Sequence, residues 1–333
     1  MKKLRGYAVT MILFLMIGVD VYAQHSKPSY MIRLYEDNDF LNISGHGTDN
    51  SYTNGTRLDF FYLKKRQSRL IDRWMPHAGD SSVNIFGWGI TQLMVTPNDI
   101  STKNYQVNDY QYAGALYITH TLYSYNAKKK FDFQTELIAG IRGPNAYSGE
   151  VQCAIHKLIN YQKPMGWDNQ LGTYPLLNIN FTGEKQLLRY GSFIEVIGGA
   201  QASAGTLLDA FSIYPLIRIG RMSPYFNGLF DQHGSYYSTN KKINTQFYLF
   251  ARPQTSFVLH NALFKGNSSN EVVKERRLYE QPADINHCLT SLEFGAVIAH
   301  GHFSLAYTQT HSSSYNKKLY DHNVGNLTLT ITW

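Results

Sequence analysis

The last eleven residues, Asn323-Val324-Gly325-Asn326-Leu327-Thr328-Leu329-Thr330-Ile331-Thr332-Trp333, decide the fold class. Leu327, Leu329, Ile331 and Trp333 alternate with Asn326, Thr328, Thr330 and Thr332. A period of two sends the first set to one face of an extended strand and the second set to the other. One face is greasy, and the other carries hydroxyls and amides. A strand lying between lipid and a polar lumen has this pattern, and the chain ends on an aromatic residue inside it.

Similar segments recur upstream, at roughly 29–40, 51–64, 83–95, 112–126, 131–141, 175–187, 190–204, 209–221, 244–260, 284–299 and 302–313. With the last they make about twelve, an even number, as an antiparallel closed barrel requires. Their lengths suit tilted membrane strands. Some connections are tight, as at Tyr190-Gly191 and Ala299-His300-Gly301, and others are long, at 65–82, 96–111, 142–174, 222–243 and 261–283. Short turns at one rim and long loops at the other are the expected asymmetry. The alternative is a secreted soluble β-sandwich, but twelve long alternating strands suit closure better. No internal repeat, low-complexity tract or domain linker interrupts them.

Composition agrees. Charged residues make up 17% of the 333, against ~25% in soluble chains, while 25 Tyr, 18 Phe and 4 Trp supply aromatic girdles. Abundant aromatics and scarce charge exclude a disordered chain. The one long apolar run, Met11–Val19, is short of the roughly 20 residues a spanning helix needs. It sits instead inside a secretory signal: Lys2, Lys3 and Arg5, the apolar stretch Ala8–Val19, then Val21-Tyr22-Ala23 before Gln24. Residues 1–23 are read as the signal peptide and 24–333 as one outer-membrane barrel domain. Losing three positive charges and one negative takes the net charge from +7 to +5. That excess reads as ordinary loop charge, or as an attraction to an anionic glycolipid surface. Cys153 and Cys288 are too far apart in sequence for a disulfide framework and are expected as free thiols.

One stretch breaks the strand period. From Ser148 to about Tyr161, Val151, Ala154, Ile155, Leu158 and Ile159 form a helical apolar stripe, with Ser148 as N-cap and Pro164 and Gly166 beyond the end. Gly149, Gln152, Cys153, His156 and Asn160 lie opposite. The expectation is a short amphipathic helix, in a long extracellular loop, packed on the barrel wall.

Two groups carry candidate chemistry. Glu36-Asp37-Asn38-Asp39 and Thr48-Asp49-Asn50-Ser51-Tyr52-Thr53-Asn54 flank the first hairpin and offer the all-oxygen surroundings that Ca²⁺ takes. Strand counting puts Asp39 and Thr53 inward near one rim and turns Asn38 away from the lumen. The plainer reading is a hairpin loop rich in turn formers. The second group is His156, a general base in kind, with Cys153 three residues earlier. On a polar helix face a histidine is ordinarily solvated, and a Cys–His nucleophilic pair has no sign of an activated thiolate. No zinc spacing, phosphate loop or nucleic-acid motif is present.

These segments resemble the outer-membrane lipid A 3′-O-deacylase family (LpxR type). The matching residues are Asn38-Asp39; Asp49 with Tyr52-Thr53-Asn54-Gly55; Thr96-Pro97-Asn98-Asp99-Ile100; Tyr112-Ala113-Gly114; Gly143-Pro144; Gly149-Glu150-Val151-Gln152 with His156; and Gly166-Trp167-Asp168-Asn169-Gln170-Leu171. The resemblance is strongest over 30–180. It implies a twelve-stranded barrel with a site between wall and loop helix, and a Ca²⁺-dependent hydrolysis of an ester-linked acyl or acyloxyacyl chain of lipopolysaccharide lipid A. It implies Asn38 and Asp39 as the calcium pair, Thr53 as a site hydroxyl and His156 as the base that activates water. Lys103 is the nearest match to the family's loop lysine, one position from Thr102, where direct counting falls. Substrate and outer-membrane lipids are then the partners, with no nucleic acid. Competing expectations are an outer-membrane phospholipase with a serine nucleophile, which Asn54-Gly55-Thr56-Arg57 and Ser51 near His46 support only weakly, and a non-enzymatic pore.

Overall fold

The computed structural model describes residues 28–43, 51–64, 71–238, 241–268, 270–271 and 284–333. The signal peptide, His46 and Asp49 lie outside the described residues. Twelve antiparallel strands form one closed barrel, each bonded to its neighbours in sequence, the last closing on the first. They are β1 Tyr30–Asn38, β2 Ser51–Leu63, β3 Val83–Thr96, β4 Ala113–Asn126, β5 Phe131–Arg142, β6 Tyr174–Tyr190, β7 Ile194–Gly205, β8 Leu208–Arg221, β9 Thr245–Asn261, β10 Cys288–His300, β11 Phe303–Ser312 and β12 His322–Thr332. Among the described residues the one substantial helix, α1, is Ser148–Leu158 in the connection from β5 to β6. No described helix is long and apolar enough to cross a membrane.

The period-two reading holds at the level of register. Leu34 pairs with Leu58, Leu58 with Ile90 and Ile90 with Ile118, all on the outer face. These side chains are 43–51% exposed, an apolar belt for lipid. At the rim holding the chain end, Trp333 stacks on Tyr30, which stacks on Phe60. The odd residues of β1 and β2 turn inward and pair their charges. Arg33 and Arg57 both bond Asp59, at 2.7 and 2.8 Å, and Arg57 reaches Glu136 at 2.5 Å. Pairing is what makes such charges tolerable inside.

Both ends of the lumen are filled. Val95, Tyr110, Tyr117, Leu171 and Leu263 cluster beneath the loops at one end. At the terminal end the 222–244 connection tucks inward. Phe230 packs on the inward residues Met31, Phe61, Ile85 and Tyr123. Buried Gln246 holds the segment by donating to the carbonyls of Asp231 and Gly234 at 2.7 and 2.6 Å and accepting from the Ser223 amide. The simple asymmetry of rims therefore fails. The connections after β2 and after β8 fall at the same rim as the tight turns; the described part of the first, 71–82, is laid on the outer wall through Asp72–His120 (2.7 Å), and 222–238 of the second serves as the plug.

Candidate active site

Helix α1 lies on the outer face of β3 and β4. Two glycines permit that approach. A Cβ on Gly114 of β4 would run into the Ser148 side chain, and a Cβ on Gly149 would stand 2.8 Å from the Trp167 ring. Ser148 is not the N-cap. Tyr147 occupies that position in a left-handed conformation without a side-chain cap bond, and Ser148 donates its hydroxyl to the Leu93 carbonyl at 3.3 Å. Trp167 donates to Gln152 at 2.7 Å and packs with Met94, Ile100 and Tyr112.

The helix is turned over relative to the sequence expectation. Ser148, Gly149, Gln152 and His156 are the buried face, while Ile155, Leu158 and Ile159 stand 44%, 82% and 44% exposed. The expectation assumed water outside, which would drive the apolar stripe inward. On the outer wall of a membrane barrel the surroundings are apolar, so the greasy stripe faces outward and polar side chains meet the wall. His156 is 7% exposed rather than solvated.

The end of α1 orients that histidine. Asn160 adopts a left-handed φ of 52°. The amide of Tyr161 donates to the His156 carbonyl at 2.8 Å and that of Asn160 to Lys157 at 3.4 Å, a complete Schellman turn. The turn brings the Tyr161 ring edge-on to the imidazole, centroids 5.0 Å apart, and sets the Gln162 carbonyl 2.5 Å from Nδ1. A carbonyl only accepts, so Nδ1 carries a proton in this contact. Cys153 sits beside the Pro164 carbonyl, its sulfur 3.8 Å away.

The β1–β2 rim also departs from strand counting. Ser51 and Tyr52 pair with Thr96 and Val95 but Asn54 pairs with Met94, so Thr53 is the extra residue of a β-bulge. Tyr52 turns inward and donates to Asp37 at 3.0 Å. Thr53 faces outward, its hydroxyl 2.7 Å from that of Thr96, in the same outward row of β3 as Met94 and Gln92. Asp39 is not inward either. The Asn38 carboxamide accepts from the Phe40 amide at 2.8 Å and starts a 3-10 turn, Asp39–Leu41. That turn folds outward over β12, where Gly325 leaves room for its backbone, and is pinned by Tyr307 on the Leu41 carbonyl at 2.7 Å. Asp39 is buried, 7% exposed. Asn38, Asp39, Thr53 and His156 are thus all on the outer side of the wall.

Lys103 is exposed on the loop after β3, and its carbonyl accepts from Asn169 at 2.7 Å, which ties that loop to the turn after α1. The donor set at the β1–β2 rim is hard oxygen throughout and fits Ca²⁺ in kind. Among the described residues no three carboxylate, imidazole or thiol groups converge. An ion at Asn38–Asp39 would complete its shell from main-chain carbonyls, hydroxyls and water.

Sequence reasoning gave no individual role to Thr96, Gln152 or Glu36: Thr96 and Gln152 stood in the family-matching runs, Gln152 also on the polar helix face, and Glu36 was one carboxylate of the hairpin cluster. Glu36 stands on the outer wall, held by Asn54 and Thr56 at 2.5 and 2.6 Å. Its signal was available: an even position that should be apolar carries a carboxylate.

Similarity to known proteins agrees with this geometry. Residues 9–333 match the family described as outer membrane protein LpxR. Among solved structures, LpxR from Salmonella typhimurium is similar with a TM-score of 0.70 and 17% identity, over 91% of this chain and 100% of that one. At that identity the likeness speaks for the fold. The β domain of the Bordetella autotransporter BrkA, at 9% identity over 92% of this chain and 100% of its own, has a TM-score of 0.44, too low to carry an argument. No curated protein matches the sequence. A family match over nearly the whole length, on a closed twelve-stranded barrel, settles the membership: this chain belongs to the LpxR family of outer-membrane proteins.

Proposed function

We propose that the protein is a lipid A deacylase that hydrolyses the 3′-O-linked acyl ester, with His156 as general base toward water. The observation that carries the reading is the buried imidazole on the wall-facing side of α1, oriented by the Gln162 carbonyl at Nδ1. It stands on the lipid-exposed side of the barrel, where a lipid substrate can reach it by moving within the membrane.

Water attacks the ester carbonyl as Nε2 takes its proton, a role typically worth ~10²–10⁴ in rate. The proton then passes to the leaving sugar oxygen, and the acid and sugar hydroxyl depart. Gln162 holds the tautomer throughout, as the orienting group of a catalytic histidine does. Asn38 and Asp39 would hold Ca²⁺, which supplies Lewis-acid polarisation of the carbonyl and of the negative charge that develops on its oxygen. The Thr53 hydroxyl, 2.7 Å from that of Thr96, would contact the substrate. Lys103, exposed at the loop rim, would meet substrate phosphate. The acyl chains would lie along the apolar belt of Leu34, Leu58, Ile90 and Ile118.

A pore finds no support in a lumen filled at both ends. Chelation tests the metal part of the proposal. EGTA is expected to abolish ester hydrolysis, added Ca²⁺ to restore it, and Asp39→Ala to be inactive in either. Full activity in EGTA would overturn the calcium assignment.

A further inference from the structure

Away from α1, across β5 to β8, the outer wall is hollowed. Register brings Phe133, Gly183, Ala200 and Ile213 into one outward row, and Phe131, Lys185, Gly198 and Pro215 into the next. Large side chains bound the two rows, and their middle carries glycine and alanine. The result is a groove of about 1000 Å³ in the lipid-facing surface. Glycine inside a strand forgoes packing and often marks the close approach of a ligand. Leu187, the extra residue of a bulge in β6, leans onto Gly198 at the end nearer the tight turns.

Lys185 is the one charge in these rows, and a lipid-facing lysine must reach the interface. Its ammonium passes over the Phe131 ring, 5.6 Å from the centroid, and donates to the Lys129 carbonyl in the β4–β5 turn. That turn is Lys128-Lys129-Lys130, held by Asn126, which accepts from the Lys129 amide at 2.9 Å and from the Lys130 amide at 2.8 Å. Among the described residues Lys64 and Lys265 find carboxylates, and these four lysines find none. The adjacent acids face the lumen: Asp132 accepts from Tyr123 at 2.8 Å, and Glu184 from Tyr214 and Tyr225 at 2.8 and 2.6 Å. The rim of the tight turns is the periplasmic one in such barrels. Lipid there belongs to the inner leaflet, whose glycerophospholipids carry their phosphates at the interface; lipopolysaccharide lies at the other rim.

We propose that the groove binds one anionic glycerophospholipid of the inner leaflet. Its phosphate rests on Lys185 and the lysines of the β4–β5 turn. An acyl chain lies over Gly183, Gly198 and Ala200, between the Phe131–Phe133 wall and the Ile213–Pro215 wall. Each lysine near a membrane surface favours an anionic headgroup by roughly fivefold in affinity. The apolar floor adds affinity for any acyl chain without choosing between headgroups. The site is independent of the deacylase reading, since it shares no residue with α1, β1 or β2.

The test is native mass spectrometry of the whole protein released from detergent. It is titrated with phosphatidylglycerol, or with zwitterionic phosphatidylethanolamine carrying the same acyl chains. Wild type should take up a single phosphatidylglycerol first, with an apparent Kd about tenfold or more below that for phosphatidylethanolamine. The double variant Lys129→Gln, Lys185→Gln should raise the phosphatidylglycerol Kd about tenfold or more, with a much smaller effect on phosphatidylethanolamine. Gly183→Leu fills the floor, and its Cβ would meet the Phe133 ring at an ordinary 3.5 Å. It should weaken both lipids by similar factors and keep their ratio. Heat-modifiable gel mobility checks that each variant is folded. Either folded variant binding phosphatidylglycerol as wild type does overturns the proposal. So does a wild type that carries a statistical series of both lipids with equal affinity, or a lipid-free dimer, which would give the groove to a second copy.

Discussion

The Nδ1 atom of His156 stands 2.5 Å from the carbonyl oxygen of Gln162, six residues on, across the turn that ends α1. The contact is local in sequence and fixes both the ring's orientation and its tautomer. It exists because Asn160, in a left-handed conformation, lets the chain double back.

His156→Ala should fold, because the side chain supports the loop helix and not the barrel. Heat-modifiable gel mobility should match wild type, while ester hydrolysis falls by about 10²–10⁴, the usual range for a lost general base. Cys153→Ala should keep most activity, since water and not the thiol is the nucleophile. A dead but folded Cys153→Ala would show the roles are misassigned.

Asn160 tests the turn without touching the imidazole. Its φ of 52° suits Gly as well as Asn, so Asn160→Gly should retain activity. Asn160→Val places a β-branched residue in a left-handed conformation, which costs of order 1–3 kcal/mol. The turn should open and release Gln162 from Nδ1. Single-turnover kinetics should then show kcat reduced, with gel mobility again unchanged. Equal activity in the Gly and Val variants would remove Gln162 from the account.

The plug carries its own pH dependence. Desolvation inside the 222–244 segment pushes His233 down to about 3, with Arg33 and Arg218 adding to the effect. Its folded value is therefore below the unfolded value of 6.5. The unfolded chain takes up the proton first, so this contribution to stability is full above about 6.5 and is lost as pH falls toward 3. Urea midpoints measured in detergent at pH 7.5 and 4.5 should fall on acidification, and His233→Gln should flatten that difference. An equally steep acid loss in His233→Gln would assign it elsewhere.

The strands were legible because alternation is the direct mark of a wall between lipid and a polar interior. Leu327, Leu329 and Ile331 show it without help. Counting failed where the backbone departs from period two. The bulge at Thr53 turned Tyr52 inward and Thr53 out, and the 3-10 turn after Asn38 carried Asp39 over β12. Neither departure has a sequence signature as strong as the alternation it breaks. The helix span was legible to within three residues at its end, but its orientation was not, since hydrophobic periodicity says which residues share a face and not what lies outside. His156, Asn38, Asp39 and Thr53 were named through family resemblance, and the structure places them on the same side of the wall. The plug at 222–244 has no periodic signal, and only packing on Met31, Phe61 and Tyr123 reveals it.

Lipid A itself gives the most direct measurement. Lipid A from an outer-membrane host expressing wild type, compared by mass spectrometry with that from a host expressing His156→Ala at equal folded abundance, should differ by the mass of one ester-linked acyl group. The lighter product should appear only with wild type, and tandem fragmentation should place the lost chain at the 3′ oxygen. Lipid A of unchanged mass in the presence of folded wild-type protein and Ca²⁺ would contradict the account.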